Sequence, residues 1–360
     1  MTVDVISFQQ ALKKAESCGK KHLLLGNGFS IACEPMIFAY GSLFAEAKKT
    51  MSKELAAIFA TMETQDFEEV IRALQHAAAI VSVYRPSFVN IKALLLTDAG
   101  KLKTDLIQAV AGRHPARPND IAEERYASCR TFLSNFVGER TTGKIYTMNY
   151  DLLLYWALMH EEENSDARIT LKHDDGFRKD EEDYDAAYVE WQGEGAANGQ
   201  NIHYLHGALH LFDAGYQLQK YTWVNTGKAL VDQTNEALKK NFFPVFVAEG
   251  NSKGKLTKIQ HSAYLHHSYK SFAGVCQAKS RDGTALFVYG HSFAKNDAHV
   301  LNMIGQGKIA HLFVSLYGDP SSKSNQTIRA SVDQITALRP RSFPPLNVDY
   351  FDAASAKVWG

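Results

Sequence analysis

The sequence lacks paired thiols, a charge bias and long apolar runs, and each absence removes a class of protein. Its four cysteines, Cys18, Cys33, Cys129 and Cys276, stand far apart with no Cys-x-x-Cys pair. That spacing speaks against a zinc ribbon or a disulfide framework and for isolated thiols in a reducing compartment. Formal net charge is zero, 39 basic residues against 39 acidic. The basic excess of a protein built to hold a phosphate backbone is therefore missing, and direct nucleic-acid binding is not expected. No apolar run approaches the roughly 20 residues of a membrane span, and the N-terminus shows no basic-then-apolar leader pattern. The expectation is a cytoplasmic chain that makes no membrane contact. No internal repeat or low-complexity tract stands out. A length of 360 residues gives room for about two domains.

The stretch around which the rest is organised is His22-Leu23-Leu24-Leu25-Gly26-Asn27-Gly28-Phe29-Ser30. A short apolar run that stops in Gly-x-Gly-x-Ser is the sequence form of a buried strand turning into a phosphate-facing loop. Glycine there permits positive φ and lets backbone N–H groups approach a diphosphate, and a helix starting near Ser30 adds its dipole. The same pattern also serves as a strand–turn–helix with no ligand at all.

In chain order, Val5, Phe8, Leu12 and Ala15 have near-helical spacing and predict a short amphipathic helix over 5–18. Residues 40–136 read as almost wholly helical, with Phe67, Val70, Ile71 and Leu74 as one stripe behind a candidate N-cap, Asp66. Nearly a hundred helical residues are too many for one crossover, so they are expected to form an inserted helical layer. A second strand is expected over 144–148, ending in Asn149-Tyr150-Asp151, with an apolar helix following at once. The charge- and glycine-rich stretch 160–201 is expected to be a solvated, partly irregular excursion rather than a metal site. Further strands are expected over 201–206, 242–247, 285–289 and 310–316. The segment from Pro340 is expected to hug the surface and tolerate change.

These elements predict an α/β, Rossmann-like fold: a mostly parallel sheet flanked by helices, with a large helical insertion after the first strand. Residues 1–39 and 137–330 would form the core, 40–136 the inserted subdomain and 331–360 a C-terminal tail. Four apolar strands end in small or polar residues: Gly26-Asn27-Gly28, Thr147-Met148-Asn149-Tyr150-Asp151, His206-Gly207 and Gly290-His291-Ser292. In a parallel open sheet, ligands bind outside those carboxyl ends.

The ordered set resembles the sirtuin superfamily, specifically its divergent bacterial NAD-consuming domains of antiphage defence. The resemblance runs from about residue 21 to 317. It implies that Gly26, Asn27, Gly28, Phe29 and Ser30 hold the dinucleotide, with Gly26, Gly28 and Ser30 at the diphosphate. Thr147 belongs to the cofactor-binding set. Asn149 would bind ribose hydroxyls or orient water, and Asp151 would hold the carboxamide end. His206 would be the general base, and Gly290 and Ser292 would lie beside the adenosine. The implied activity is NAD+ glycohydrolysis, with NAD+ as substrate, no metal, and gating through a homo-oligomer or a regulatory protein partner. Protein deacylases of that superfamily carry a four-cysteine zinc ribbon that this chain lacks, and Met148 stands where their motif often has Gln.

Bland roles remain open beside these. His206 before a glycine is also a hydrogen-bonded structural histidine, Asn149 a turn residue and Asp151 a helix cap. His203 should point to the other side of the strand. His261, His266 and His267 lack metal-ligand spacing, and Tyr155 and Trp156 read as core. A Rossmann dehydrogenase fits poorly, because Ile31 occupies the third glycine position and helices stand where its acidic strand end should be. A deacylase or ADP-ribosyltransferase would use the same cleavage with a protein acceptor. A non-catalytic NAD or ADP-ribose sensor would keep the same residues.

Overall fold

Leu23, Leu24 and Leu25 are all fully buried, as befits a strand covered on both faces, and the alternation of side chains sends them to different layers. Leu23 and Leu25 join a core shared with Phe8, Phe132, Phe136 and Phe287, whereas Leu24 joins Tyr146, Leu286, Val288 and Phe272 on the other face. The structure, a computed structural model, describes residues 4–38, 40–49, 51–160, 169–178, 188–193, 199–214, 217–221, 228–239, 242–248 and 251–360.

Seven strands form one wholly parallel sheet. In chain order they are β1 (Val5–Ile6), β2 (Lys20–Leu25), β3 (Ile145–Thr147), β6 (Ile202–Tyr204), β10 (Thr284–Tyr289), β11 (His311–Leu316) and β12 (Asn347–Asp352). Their order across the sheet is β1-β12-β11-β10-β2-β3-β6. From β2 the chain builds outward through β3 and β6, then returns to the other side of β2 with β10 and continues to β12. Strand order therefore reverses between β2 and β10, where register runs from Lys20 opposite Thr284 to Leu25 opposite Tyr289. Such a reversal opens a crevice at the carboxyl edge of a parallel sheet.

The expected helical insertion follows β2, with described helices at Tyr40–Ala47, Lys53–Thr61, Phe67–Tyr84, Val89–Arg113 and Glu123–Val137. Phe67, Val70, Ile71 and Leu74 are all buried, and the Asp66 carboxylate accepts from the Glu69 N–H at 3.4 Å. At the N-terminus Val5–Ile6 is a strand rather than the start of a helix. Ser7 then caps Phe8–Lys14 with a reciprocal Ser7–Gln10 pair.

A second sheet has no counterpart in the sequence expectations. β4 (Phe177–Arg178), β5 (Tyr188–Trp191), β7 (Gly207–Asp213), β8 (Leu218–Tyr221) and β9 (Phe243–Phe246) pair antiparallel in the order β4-β5-β8-β7-β9. The strand expected over 242–247 belongs here, and the one over 201–206 stops at Tyr204. Residues 205–207 then turn the chain from one sheet into the other. Gly207 makes that turn at φ +75°, where a Cβ would strike the Val245 carbonyl. Of the charged excursion, 161–168, 179–187 and 194–198 lie outside the described residues, while β4 and β5 between them belong to the second sheet.

The C-terminal segment corrects its expectation most plainly. It supplies β12, wedged between β11 and β1, and then returns to the glycine loop. Trp359 is buried, packs on the Phe29 ring at 5.3 Å and donates its indole N–H to the Phe29 carbonyl at 2.9 Å. Truncating a buried tryptophan removes both its apolar burial and that bond. Trp359→Ala is expected to destabilise the fold by about 3–5 kcal/mol, read as a lower urea midpoint. An unchanged midpoint would return the tail to the surface.

Candidate functional site

Two glycine loops meet across the β2/β10 crevice. The Gly26 N–H donates to the Tyr289 carbonyl at 2.9 Å and the Gly28 N–H to the Gly290 carbonyl at 2.7 Å. A Cβ on Gly28 would lie 2.5 Å from the Gly290 Cα, and one on Gly26 would lie 2.7 Å from the His291 Cα. Gly290 itself has φ +68°. These glycines thus have a requirement that needs no ligand: two backbones pass at a distance no side chain permits. The helix Gly28–Cys33 begins here. The Phe29 N–H bonds to the Gly26 carbonyl, and the Ser30 and Ile31 N–H groups bond to the Asn27 carbonyl. From Gly26 to Ile31, Asn27 is the residue whose N–H makes no hydrogen bond among the described residues. A loop offering several free amides to a diphosphate was the expectation, and the loop instead spends them on its own fold.

The Thr147-to-Asp151 segment leaves β3 directly beside this loop. The Asn149 amide donates from Nδ2 to the Gly26 carbonyl at 3.0 Å and to Ser30 Oγ at 2.9 Å. Ser30 Oγ in turn donates to Asp151 Oδ2 at 2.5 Å, while Asp151 Oδ1 accepts the Leu153 N–H at 2.9 Å. Asp151 therefore stands one residue before the N-cap Leu152, accepts the N–H of the first residue of the helix Leu153–Met159 and also anchors the glycine loop. Burial pushes its carboxyl upward, with the Ser30 and backbone hydrogen bonds opposing. Thr147 Oγ1 accepts the Asn149 N–H at 3.1 Å. With both its amide protons directed inward, Asn149 has Oδ1 left to present as an acceptor.

His206 sits at the turn between the two sheets, buried, and in a shell that the sequence reading assembled only in part. Its Nε2 lies 3.1 Å from His299 Nε2 and 4.0 Å from Asp297 Oδ1. Asp297 pairs through Oδ1 with the buried Lys255 ammonium at 2.9 Å, and its Oδ2 lies 3.3 Å from His291 Nε2. Burial and the Lys255 charge hold His206 well below the ordinary histidine range, with Asp297 opposing. His206 is therefore neutral, and the ion pair of the cluster is Lys255–Asp297. Burial favours the protonated Asp297, but the His291 hydrogen bond and the Lys255 charge outweigh it and hold the carboxylate far below its usual value. His291 belongs to the strand end already singled out after β10, and Asp297 follows it six residues on, in the turn Lys295–Asp297. Lys255, on the helix Ser252–His261, and His299, on Ala298–Gln306, gave no sequence signal.

His206, Asp297 and His299 bring one ligand atom each to within 4.8 Å of one another, a set able to hold a metal ion. The Lys255 ammonium already neutralises that carboxylate, so a divalent ion would enter beside a buried positive charge. His261, His266 and His267 lie on the helices Ser252–His261 and Ala263–Gln277 and join no metal-type cluster among the described residues, and Tyr155 and Trp156 are buried core. His203 points to the opposite layer, stacking on Tyr146 at 4.9 Å and reaching Ser271 at 3.0 Å.

One cavity of about 820 Å³ collects these parts. Gly26, Asn27, Gly28, Asn149, Asp151, His206, Gly290 and Ser292 line it, and Lys255, His291 and Asp297 join them. Phe29, Ser30 and Thr147, expected at the ligand, stand behind the wall as buried supports. Helix starts at Asp66 and Phe67, the helix end at Leu106 and Val110, and the C-terminal Trp359 close the other sides.

Neutral buried histidines carry a pH consequence. Burial lowers His22 to about 3 and His114 and His299 to about 4, and holds His203, His206 and His210 well below the ordinary value. The unfolded chain binds protons at these positions before the folded chain does. The stability they contribute is complete above about pH 6.5 and falls as pH drops from there toward the folded values, by up to about 1.4 kcal/mol per pH unit for each group. The melting temperature should be flat from pH 8 to 7 and fall steeply between pH 6.5 and 5. A melting temperature unchanged to pH 5 would mean that these rings are protonated in the fold.

Neither the curated proteins nor the solved structures include a match to this chain. The family model described as a domain of unknown function, DUF4917, matches residues 23–359, from within β2 through Trp359, and the chain belongs to that family.

Proposed function

We propose that the chain is an NAD+ glycohydrolase that converts NAD+ to nicotinamide and ADP-ribose. The observation that carries this reading is the cavity at the β2/β10 reversal, lined together by the glycine loop, Asn149, Asp151, His206 and Gly290 to Ser292. Its volume of about 820 Å³ falls in the range of small-molecule sites, and strand-order reversals in parallel sheets are where nucleotides bind.

In this reading the Asn27 N–H, at the start of the helix Gly28–Cys33, meets the diphosphate. Asn149 Oδ1 accepts from a ribose hydroxyl or the attacking water, and Gly290 and Ser292 flank the adenosine. Cleavage breaks the bond between ribose C1′ and the nicotinamide nitrogen. Its electron pair returns to the pyridinium, which leaves as neutral nicotinamide through an oxocarbenium-like state. A water oxygen bonds C1′ and its proton passes to the neutral His206. Asp297, 4.0 Å away, offsets the imidazolium that forms. No metal is called on. A cytosolic NADase that ran constantly would harm its host, so the reading includes gating by assembly or a partner, as in NAD-depleting antiphage defence.

One observation favours a second reading. His206 is fully enclosed and its Nε2 is already engaged by His299, which suits a sensor that holds NAD+ or ADP-ribose without turnover. Free nicotinamide released from NAD+ by wild type, Asn149→Ala and His206→Ala decides between them. The glycohydrolase predicts turnover in wild type and a loss of at least about 10²-fold in both variants. Ligand binding without turnover at any protein concentration would mean either a missing activator or a sensor, and absence of binding would refute both readings.

A further inference from the structure

The helices Phe67–Tyr84 and Val89–Arg113 pack against each other as a hairpin joined through residues 85–88. Near the core the hairpin is ordinary: Val70, Leu74, Leu102 and Leu106 are buried. Toward the turn the pattern inverts. Eight large apolar side chains between Ile80 and Leu96 are exposed, Val83 and Tyr84 by 77% and 80%. Residues 75–97 contain no Asp or Glu, and their Lys and Arg residues are Arg85 and Lys92 alone.

Ile80, Val83 and Tyr84 follow i, i+3, i+4 spacing and so share one face. On the second helix Val89 and Leu96 fall on one flank, and Ile91 and Leu94 on another. A helix end that is apolar on several sides is built to be enclosed. At these exposures, side chains of this size present roughly 100–150 Å² each, on the order of 900 Å² for the eight. The largest patch on a typical monomer is about 300–600 Å², whereas each partner in a stable interface contributes about 800 Å².

We propose that a second copy of this chain covers the tip, the two hairpins packing as a four-helix bundle about a two-fold axis. The area suits one such contact, and a self-complementary patch needs no second surface. Knobs on several flanks of both helices interlock with a hairpin of the same form. A membrane surface would instead call for a strongly basic polar face beside the apolar one, and this tip has two basic groups.

The test is sedimentation equilibrium of the full chain from nanomolar to tens of micromolar, alongside Val83→Glu/Leu94→Glu and, independently, Tyr84→Glu. All three positions are exposed, and unchanged circular dichroism and melting temperature would certify the fold. Wild type should be a dimer, and each variant should raise the dissociation constant by on the order of a hundredfold. A wild type that stays monomeric throughout, or variants that associate as well as wild type, would overturn the proposal. So would a monomer whose binding to phosphatidylcholine/phosphatidylserine vesicles is lost in the variants, which would assign the tip to a lipid surface. None of these outcomes depends on NAD+ turnover, so this proposal and the enzymatic reading stand or fall separately.

Discussion

The contact on which the rest depends is that of Gly28 with Gly290. β2 and β10 are paired in parallel over their whole length, and beyond the last pair the two chains remain joined through the Gly26 and Gly28 N–H groups. The Gly290 N–H then reaches Ser315 Oγ on β11 at 2.9 Å, tying a third strand end to the same point. From this knot the chain leaves in two directions. One carries Asn27 and the helix Gly28–Cys33, and the other carries His291, Ser292 and Asp297. A methyl group at Gly28 or Gly290 would force these loops apart, and with them the facing walls of the cavity. The knot also holds Gly26 and Ser30 where the Asn149 amide can bond both.

Charge inside the cavity wall is held by the same economy of position. A lysine as buried as Lys255 is tolerable because Asp297 lies 2.9 Å away and is itself held by His291. Removing one partner of such a pair leaves an uncompensated buried charge, at a cost of about 3–5 kcal/mol. The pair also determines the state of its neighbours. With Lys255 beside it, His206 is disfavoured as a cation, and the His206–His299 contact is one between neutral rings in which one Nε2 donates and the other accepts. The cluster is therefore poised electrically by a residue from a separate helix, not by the turn that carries His206.

The central strands of the parallel sheet were legible because they are largely buried and read as apolar runs ending in glycine or small polar residues. Those endings also marked Gly26 to Gly28, Asn149, Asp151, His206 and Gly290 to Ser292, which the fold brings to one cavity. What stayed hidden had no local signature. Lys255 looks like any lysine on a surface helix, and only the packing of Ser252–His261 against the Asp297 turn buries it. β12, Asn347 to Asp352, mixes polar and apolar residues behind Pro340, Pro344 and Pro345, which locally reads as a loop. The second sheet is built from short strands split by charged segments, and its longest strand β7 continues directly from the His206 turn, so one apolar stretch serves two sheets. The glycines were read for a ligand's approach, whereas the nearest body is another backbone.

The cavity is not made by the parallel sheet alone. Its floor is the β2/β10 knot, but its sides are Asp66 and Phe67 at the start of one hairpin helix, Leu106 and Val110 near the end of the other, and Trp359 from the chain terminus. The hairpin helices thus run from the cavity wall at one end to the exposed apolar tip at the other. Trp359 closes the opposite side through its bond to Phe29, immediately behind the glycine loop. Both side walls are thus supplied by segments outside the strand-end loops of the parallel sheet, and the volume between them depends on how those segments pack.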